Sequence, residues 1–529
     1  MNRLFRQPVP RLESVKIGGS IAILGCFGAL FGCGGEGTAP GVEGNGDYRH
    51  VLLISLDTTR ADAIGAYGGL AAKTPRLDAL ANSGVRFADV TSAAPTTLAS
   101  HTTIMTGLYP RRHGVARNGF MISPDNIMLA EVLQQAGFHT AGFIGSFALD
   151  QVFEFNQGFD HWDQTFSVDF DPRTADQNQR SAGEVTDSVL DYVGSFDGTD
   201  RLFLFAHYFD VHAPYAPPEP FASEYAERWK VSDFGLLQHQ ITKHQEELIG
   251  KTRDVYRLGL SKALAAKATG ESLPGDSDMA ALYAGELAYL DAEVGRLLDG
   301  LDSKGILENA IVVLTSDHGE TFWEHGDFWA HGAWVYQTNV HVPLIVRLPD
   351  GRAAGRVVND PTSTVDIFPT LLDLLGLPLP EPVAGLSLVP TFDGRSLGVR
   401  NLFSEATQPT GTSIEQDFGW ENQLKTKSIR RGKWKYIQAP YLRYQELYNL
   451  ETDPEERHNL MDGLSPEHGN VVSGLRKSLD AWRMQVNPRE TAFNSSQMDV
   501  VLQKLKDLGY TGTEPEDPAG AEIPDQEQE

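Results

Sequence analysis

Cysteine is nearly missing from this chain of 529 residues: two occur, Cys26 and Cys33, both within the first 33 positions. The body beyond them therefore holds neither a disulfide framework nor a cysteine-built zinc site. Basic residues are also in short supply, 44 Lys plus Arg against 71 Asp plus Glu, for a formal charge of -27. Nucleic-acid binders draw affinity from cations set against phosphates, so this balance argues against a nucleic-acid partner. It leaves room for a local pocket around an anionic substrate. No internal repeat is visible. Charged residues at 22% and hydrophobic ones at 41% are those of a soluble globular protein, not of a collagen-like, coiled-coil or wholly disordered chain. The length suffices for one large domain or two to four ordinary ones.

What is present begins with an address. Arg3, Arg6, Arg11 and Lys16 precede an uncharged, mostly apolar stretch from Ile17 to Cys33, the layout of a bacterial export signal over residues 1–33. Leu30-Phe31-Gly32-Cys33 resembles a lipobox, which implies lipidation at Cys33 and a membrane partner through that lipid. A lipoprotein of the cell envelope, facing the periplasm or the exterior, is the expectation; a simple cleaved signal or an uncleaved anchor is the alternative. Residues 34–48 are glycine-rich and polar and read as a flexible tether. Residues 511–529 hold Pro, Gly and acids with scarcely any apolar content and are expected to be disordered.

From Arg49 onward, short apolar runs alternate with helical patterns, which predicts an α/β fold with a mostly parallel sheet sandwiched by helices. Strands are expected at Val51–Leu56, Thr140–Ile144, Leu202–Ala206, Ile311–Leu314 and Val342–Val346. Helices are expected at Pro75–Asn82 (with Thr74 as N-cap), Asn126–Gln135, Ala182–Val193 and Met279–Leu301. Residues 49–400 read as the catalytic domain, with an insertion at about 217–277 near the active-site rim. Residues 401–490 read as a smaller C-terminal α+β subdomain, with strands in Ser428–Ile437 and Glu446–Leu450 and an amphipathic segment Val472–Val486.

Ligands of open α/β sheets bind beyond the carboxyl ends of the strands. Three polar constellations fall there: Asp57 after the first strand, Asp317-His318-Gly319-Glu320 after Ile311–Leu314, and His207 with His212 after Leu202–Ala206. Hard carboxylates with an imidazole suit a divalent cation. For any one aspartate the plain alternative is a cap on a helix or turn. A fourth constellation, Ala94 to Gly107, sets hydroxyl residues before a helix whose first-turn amides are expected to face an oxyanion.

These segments, taken in order with Thr74–Phe87, Leu282–Leu298, Thr315–Gly332, Val365–Leu375 and Lys433–Ile437 with Glu446–Leu460, resemble the sulfatase branch of the alkaline phosphatase superfamily over roughly Arg49 to Leu460. The family's nucleophile motif is Cys or Ser, any residue, Pro, Ser, Arg, four residues, then Thr-Gly. Anchored on Thr106-Gly107, its first position is Thr97; Ser100 matches, while Ala99 stands for the proline and His101 for the arginine. Threonine does not mature to formylglycine. Relatives with threonine there are envelope transferases and phosphodiesterases that work through a phosphothreonine. The resemblance implies an alkaline-phosphatase-like fold and one divalent metal ion held by Asp57, Asp317, His318 and Thr97. Thr58, where many sulfatases carry an aspartate, and His318 favour zinc or manganese over calcium; magnesium is a further option.

By the same resemblance, Thr97, His212 and His331 are the catalytic residues: nucleophile, contact to the ester oxygens, and acid for the leaving group. His101, Asn118, His207 and His325 are candidates for substrate contact. The expected activity is hydrolysis of a sulfate-type or phosphate-type ester through a covalent Thr97 intermediate. A phosphoryl transferase or phosphodiesterase, and an inactive lipid-tethered binding protein, are the alternatives.

Overall fold

Strand β1, His50–Leu56, is buried at every position, as a strand must be when helices cover both faces of its sheet. The computed structural model describes residues 48–166, 179–196, 200–213, 215–228, 276–322, 324–325, 331–406, 425–440 and 444–485. The expected signal and lipidation site Cys33, nearly all of the tether, most of the insertion and the acidic tail lie outside them. Further strands are β2 (Val85–Phe87), β3 (Val90–Thr91), β4 (Phe138–Phe143), β5 (His161–Asp163), β6 (Arg201–Tyr208), β7 (Ala310–Thr315), β8 (Leu344–Arg347), β9 (Arg356–Val358) and β10 (Thr362–Ser363).

Eight of these form one sheet in the order β5-β4-β6-β1-β7-β8-β2-β9, with β3 and β10 paired separately. Pairings from β5 through β7 are parallel, whereas β8 runs antiparallel to both β7 and β2. Alternation along β1 divides the core. Val51 and Leu53 face a layer holding the helix Thr97–Thr106, and Leu52, Ile54 and Leu56 face one holding the helices Ala182–Gly194 and Asp276–Ser303.

Four strands, β11 (Asn401–Glu405), β12 (Lys427–Arg431), β13 (Trp434–Ala439) and β14 (Tyr444–Asn449), make an antiparallel sheet that carries the helix Pro466–Met484. The fold is thus α/β with a large, mostly parallel central sheet and a C-terminal antiparallel subdomain.

Several local expectations need correction. The helix expected from Asn126 starts at Leu129, because Glu131 reaches back to accept from the Met128 amide at 2.8 Å and Asn126 instead donates its Nδ2–H to the His113 carbonyl. Thr74 does not cap its helix by its side chain; its hydroxyl accepts from Gly65 and donates to Asp78. The C-terminal helix begins at Pro466, capped by Ser465, well before Val472. The strand expected at Val342 starts at Leu344 and runs against its neighbours, a direction that apolar content alone does not encode.

Candidate active site

The three strand-end constellations come from three adjacent strands. β6, β1 and β7 lie side by side, with Ser55 opposite both His207 and Thr315. Residues just past those ends must therefore converge. Asp57, Asp317 and His318 each bring one ligand atom to within 4.8 Å of the others, with His318 Nε2 3.9 Å from Asp57 Oδ1 and 3.3 Å from Asp317 Oδ2. All three atoms are buried and have no hydrogen-bond partner. Nature rarely leaves even one such atom orphaned, since each costs about 1–3 kcal/mol, and more when charged.

The remaining atoms of these side chains are spoken for. Asp317 Oδ1 accepts from the amides of His318 (2.8 Å) and Thr58 (3.2 Å), Asp57 Oδ2 lies 3.0 Å from His207 Nε2, and His318 Nδ1 donates to the Gly319 carbonyl at 2.9 Å. Two carboxylates and the lone pair of a neutral imidazole are thereby turned toward one point, a donor set that fits a divalent first-row cation.

Burial is the main cause of the local electrostatics. It pushes Asp57 up to about 7, with the Glu320 charge adding and His331 opposing, and it drives Asp317 well above the usual carboxylate range, helped by Asp57. Burial also holds His318 well below the usual histidine value, and His212 down to about 3. His331 and Glu320 go the other way: burial lowers His331, but the Glu320 carboxylate at 3.0 Å, with Asp57 and Asp317, raises it on balance, and burial raises Glu320, but His331 lowers it. His331 stands between two imidazoles, its ring 4.5 Å from His318 and 5.0 Å from His212. His212 donates Nδ1–H to the Ala213 carbonyl at 2.6 Å, which leaves Nε2 as its acceptor.

Thr97 is the first residue of the fully buried helix Thr97–Thr106, and its side chain is near enough to Asp57 to favour the charged carboxylate. This helix is built largely of hydroxyl residues. Thr102, Thr103 and Thr106 return their protons to carbonyls four residues earlier, which lets so polar a segment sit inside the core. Gly107 ends it at φ 65°, and a side chain there would meet Val383 at 2.7 Å. Thr58, just past Asp57, also has positive φ, 51°, a strained state for a β-branched residue. Its hydroxyl, shared between the Val211 and Asp57 carbonyls, pins it.

Two residues expected at the substrate stand behind the site instead. His101 has both ring nitrogens engaged, Nε2 with Ser55 Oγ and Nδ1 with the Thr97 carbonyl, each at 2.8 Å. His207 backs Asp57 and accepts from the Gly145 amide. One of the first-turn amides expected to face an oxyanion, that of Leu98, is already taken by Asn118 Oδ1 at 2.8 Å. Asn118 Nδ2, buried and without a partner, is the donor left at that helix end. His325 does not belong to the convergent set; its ring stacks on Tyr336 at 3.8 Å.

Sequence reasoning passed over Ser55, Ser92, Tyr215 and Tyr283. Ser92 and Ser100 both bond the Asp317 carbonyl, and Tyr283 bridges the Thr58 carbonyl and the Arg60 amide. Nothing in their spacing marks them, because each acts across tens or hundreds of residues.

The family model for sulfatases matches residues 49–377, and that for the N-sulphoglucosamine sulphohydrolase C-terminal region matches 323–485. The N-acetylglucosamine-6-O-sulfatase of Bacteroides thetaiotaomicron is 25% identical over 474 residues, 78% of this chain and 82% of that protein. Among solved structures, one in complex with its substrate D-glucosamine-2-N,6-O-disulfate superposes with a TM-score of 0.65 at 20% identity, covering 84% of this chain and 99% of that one. The phosphonate monoester hydrolase of Agrobacterium radiobacter gives 0.61 at 24% identity, covering 83% and 96%. With 329 consecutive residues of its central sheet, strand-end acids and hydroxyl-rich helix inside that first match, the chain belongs to the sulfatase family of hydrolases.

Proposed function

We propose that the protein hydrolyses a sulfate-type or phosphate-type ester through a covalent intermediate on Thr97. The observation that carries this is the convergence of three buried ligand atoms without hydrogen-bond partners, Asp57 Oδ1, Asp317 Oδ2 and His318 Nε2, next to the helix start that carries Thr97. Asp57, Asp317 and His318, with Thr97, would hold one divalent cation, which supplies Lewis acidity to the ester oxygens and to the attacking hydroxyl. Zinc or manganese suits two acids and an imidazole better than calcium does.

The residues of the chain divide the remaining work. Thr97 Oγ1 gives up its proton to solvent and attacks sulfur or phosphorus as the alkoxide, in line with the leaving oxygen, whose bond to that centre breaks. Asn118 Nδ2 is the donor for an equatorial oxygen, its orientation fixed by the Leu98 amide. His331, with Nδ1 tied to Glu320 and its basicity raised, gives the Nε2 proton to the leaving oxygen. His212, neutral with its proton on Nδ1, offers Nε2 as acceptor to the water that opens the intermediate. Threonine cannot form an aldehyde hydrate, so release requires water to attack the transferred group. That step is easier at phosphorus than at sulfur, and it favours phosphate-type and phosphonate esters within the range. An N-terminal lipid at Cys33 would tether this activity to the envelope.

Turnover of 4-nitrophenyl sulfate, a 4-nitrophenyl phosphodiester and a 4-nitrophenyl phosphonate, each with and without EDTA, tests the proposal. The expected result is cation-dependent hydrolysis that Thr97→Ala abolishes. Hydrolysis that survives either EDTA or that substitution refutes it.

A further inference from the structure

Glu320 follows the cation-facing pair Asp317 and His318, yet its carboxylate is placed differently from that of Asp317. Asp317 keeps one oxygen without a partner, whereas both oxygens of Glu320 are occupied: Oε1 by His331 Nδ1 at 3.0 Å and Oε2 by the Tyr215 hydroxyl at 2.9 Å. Glu320 and Tyr215 are each 1% exposed. A ligand acid leaves a lone pair toward the cation; this one spends its outward oxygens on two side chains.

Tyr215 comes from the segment after β6, and its ring packs edge-on against Tyr283 and Phe322 at 5.7 and 6.3 Å. Tyr283 in turn donates to the Thr58 carbonyl beyond β1. The carboxylate thus links the loop after β7 to the one after β6, and the packed Tyr283 carries the connection to the loop after β1. His331 lies on a stretch without regular secondary structure, so no helix or strand sets the rotation of its ring. With Nδ1 held by Glu320, Nε2 is left on the far edge of the imidazole.

We infer that Glu320 and Tyr215 are a clamp that positions His331, fixing which nitrogen serves the leaving group. The inference rests on the proposed hydrolase reading and deepens it: a ring held this way matters most for esters whose leaving group needs a proton. A purely structural role would slow all esters alike.

The test compares a poor and a good leaving group, phenyl against 4-nitrophenyl, in whichever of the sulfate, phosphodiester or phenylphosphonate series the wild type turns over. Glu320→Ala is expected to lower kcat on the phenyl ester about 10²-fold or more, the scale of general acid catalysis, and on the 4-nitrophenyl ester about fivefold at most. KM should move little. Glu320→Gln keeps an acceptor for Nδ1–H and should stay within about tenfold of wild type on both esters. Tyr215→Phe, which removes one hydroxyl and guards against a misfolded alanine variant, should show a milder loss of the same selectivity, about tenfold on the phenyl ester.

His331→Ala is the reference. If it loses phenyl-ester turnover selectively while Glu320→Ala and Tyr215→Phe slow both esters equally or not at all, the clamp is wrong and the hydrolase reading stands. If His331→Ala shows no selectivity, or the wild type turns over none of the sulfate, phosphodiester and phosphonate series, the underlying reading falls and takes the clamp with it.

Discussion

Two of the places where this molecule buries carboxylates are built on opposite plans. In the C-terminal subdomain, Glu456 meets the Lys435 ammonium at 2.7 Å and accepts from the Gln337 amide at 2.6 Å, while Lys435 also reaches Gln337 Oε1 at 3.0 Å. Burial pulls that lysine below its usual value, and the acid beside it limits the fall. At the ends of β1 and β7, Asp57 and Asp317 are buried just as deeply, but the outer oxygens meet each other and a neutral imidazole. One region carries its own counter-charge and is complete when the chain folds. The other is folded around a deficit. Buried like charges are sustained only where the surrounding hydrogen bonds over-determine them, as the amides on Asp317 Oδ1 and the strained Thr58 do here. The contrast separates a structural ion pair from a candidate functional site without reference to any relative.

The sharpest break of that comparison is at the nucleophile. Thr97→Ala is expected to reduce ester hydrolysis by about 10⁴-fold or more while the purified protein still carries most of its divalent metal, read by assay and by elemental analysis. Next, Asp57→Asn should abolish the rise in Tm that zinc or manganese confers on the metal-free wild type. A rise that persists in the variant would move the cation elsewhere.

The opposite plan answers to the opposite change. Lys435→Met strands the Glu456 carboxylate and should cost about 3–5 kcal/mol in denaturant unfolding, with turnover per folded molecule unchanged. A smaller effect follows from protonation. Asp57 titrates at about 7 in the metal-free fold against 3.8 unfolded, so between these values the native state binds more protons and stability falls as pH rises. Metal-free Asp57→Asn should therefore gain on metal-free wild type as pH goes from about 4 to about 7, by about 2–4 kcal/mol. A gap that does not change with pH would mean that the two acids are not the source of the deficit.

Much of this was legible in the residue order. Continuous apolar runs marked the central strands, and polar residues just after Leu56, Leu314 and Ala206 marked the corner where a cation could be held, because parallel strands deliver their ends to one edge. What misled was identity without geometry. His101 and His207 read as contacts to substrate because histidine is a chemical residue. Their ring nitrogens are instead used up on Ser55, the Thr97 carbonyl, Asp57 and Gly145. Asn118, a candidate contact already, gained its reason only when its oxygen was found on the Leu98 amide.

By itself, then, the order of residues determined the alternation of strand and helix, the family, and the set of side chains from which a cation site could be assembled. These depend on local periodicity and on short motifs, which the chain carries in linear form. Only the tertiary structure decided which atom of each side chain faces the site and which is spent on a neighbour. Hydrogen-bond capacity is settled pairwise in space, between residues as distant as Thr58 and Asp317 or Tyr215 and Glu320, and no linear pattern records it.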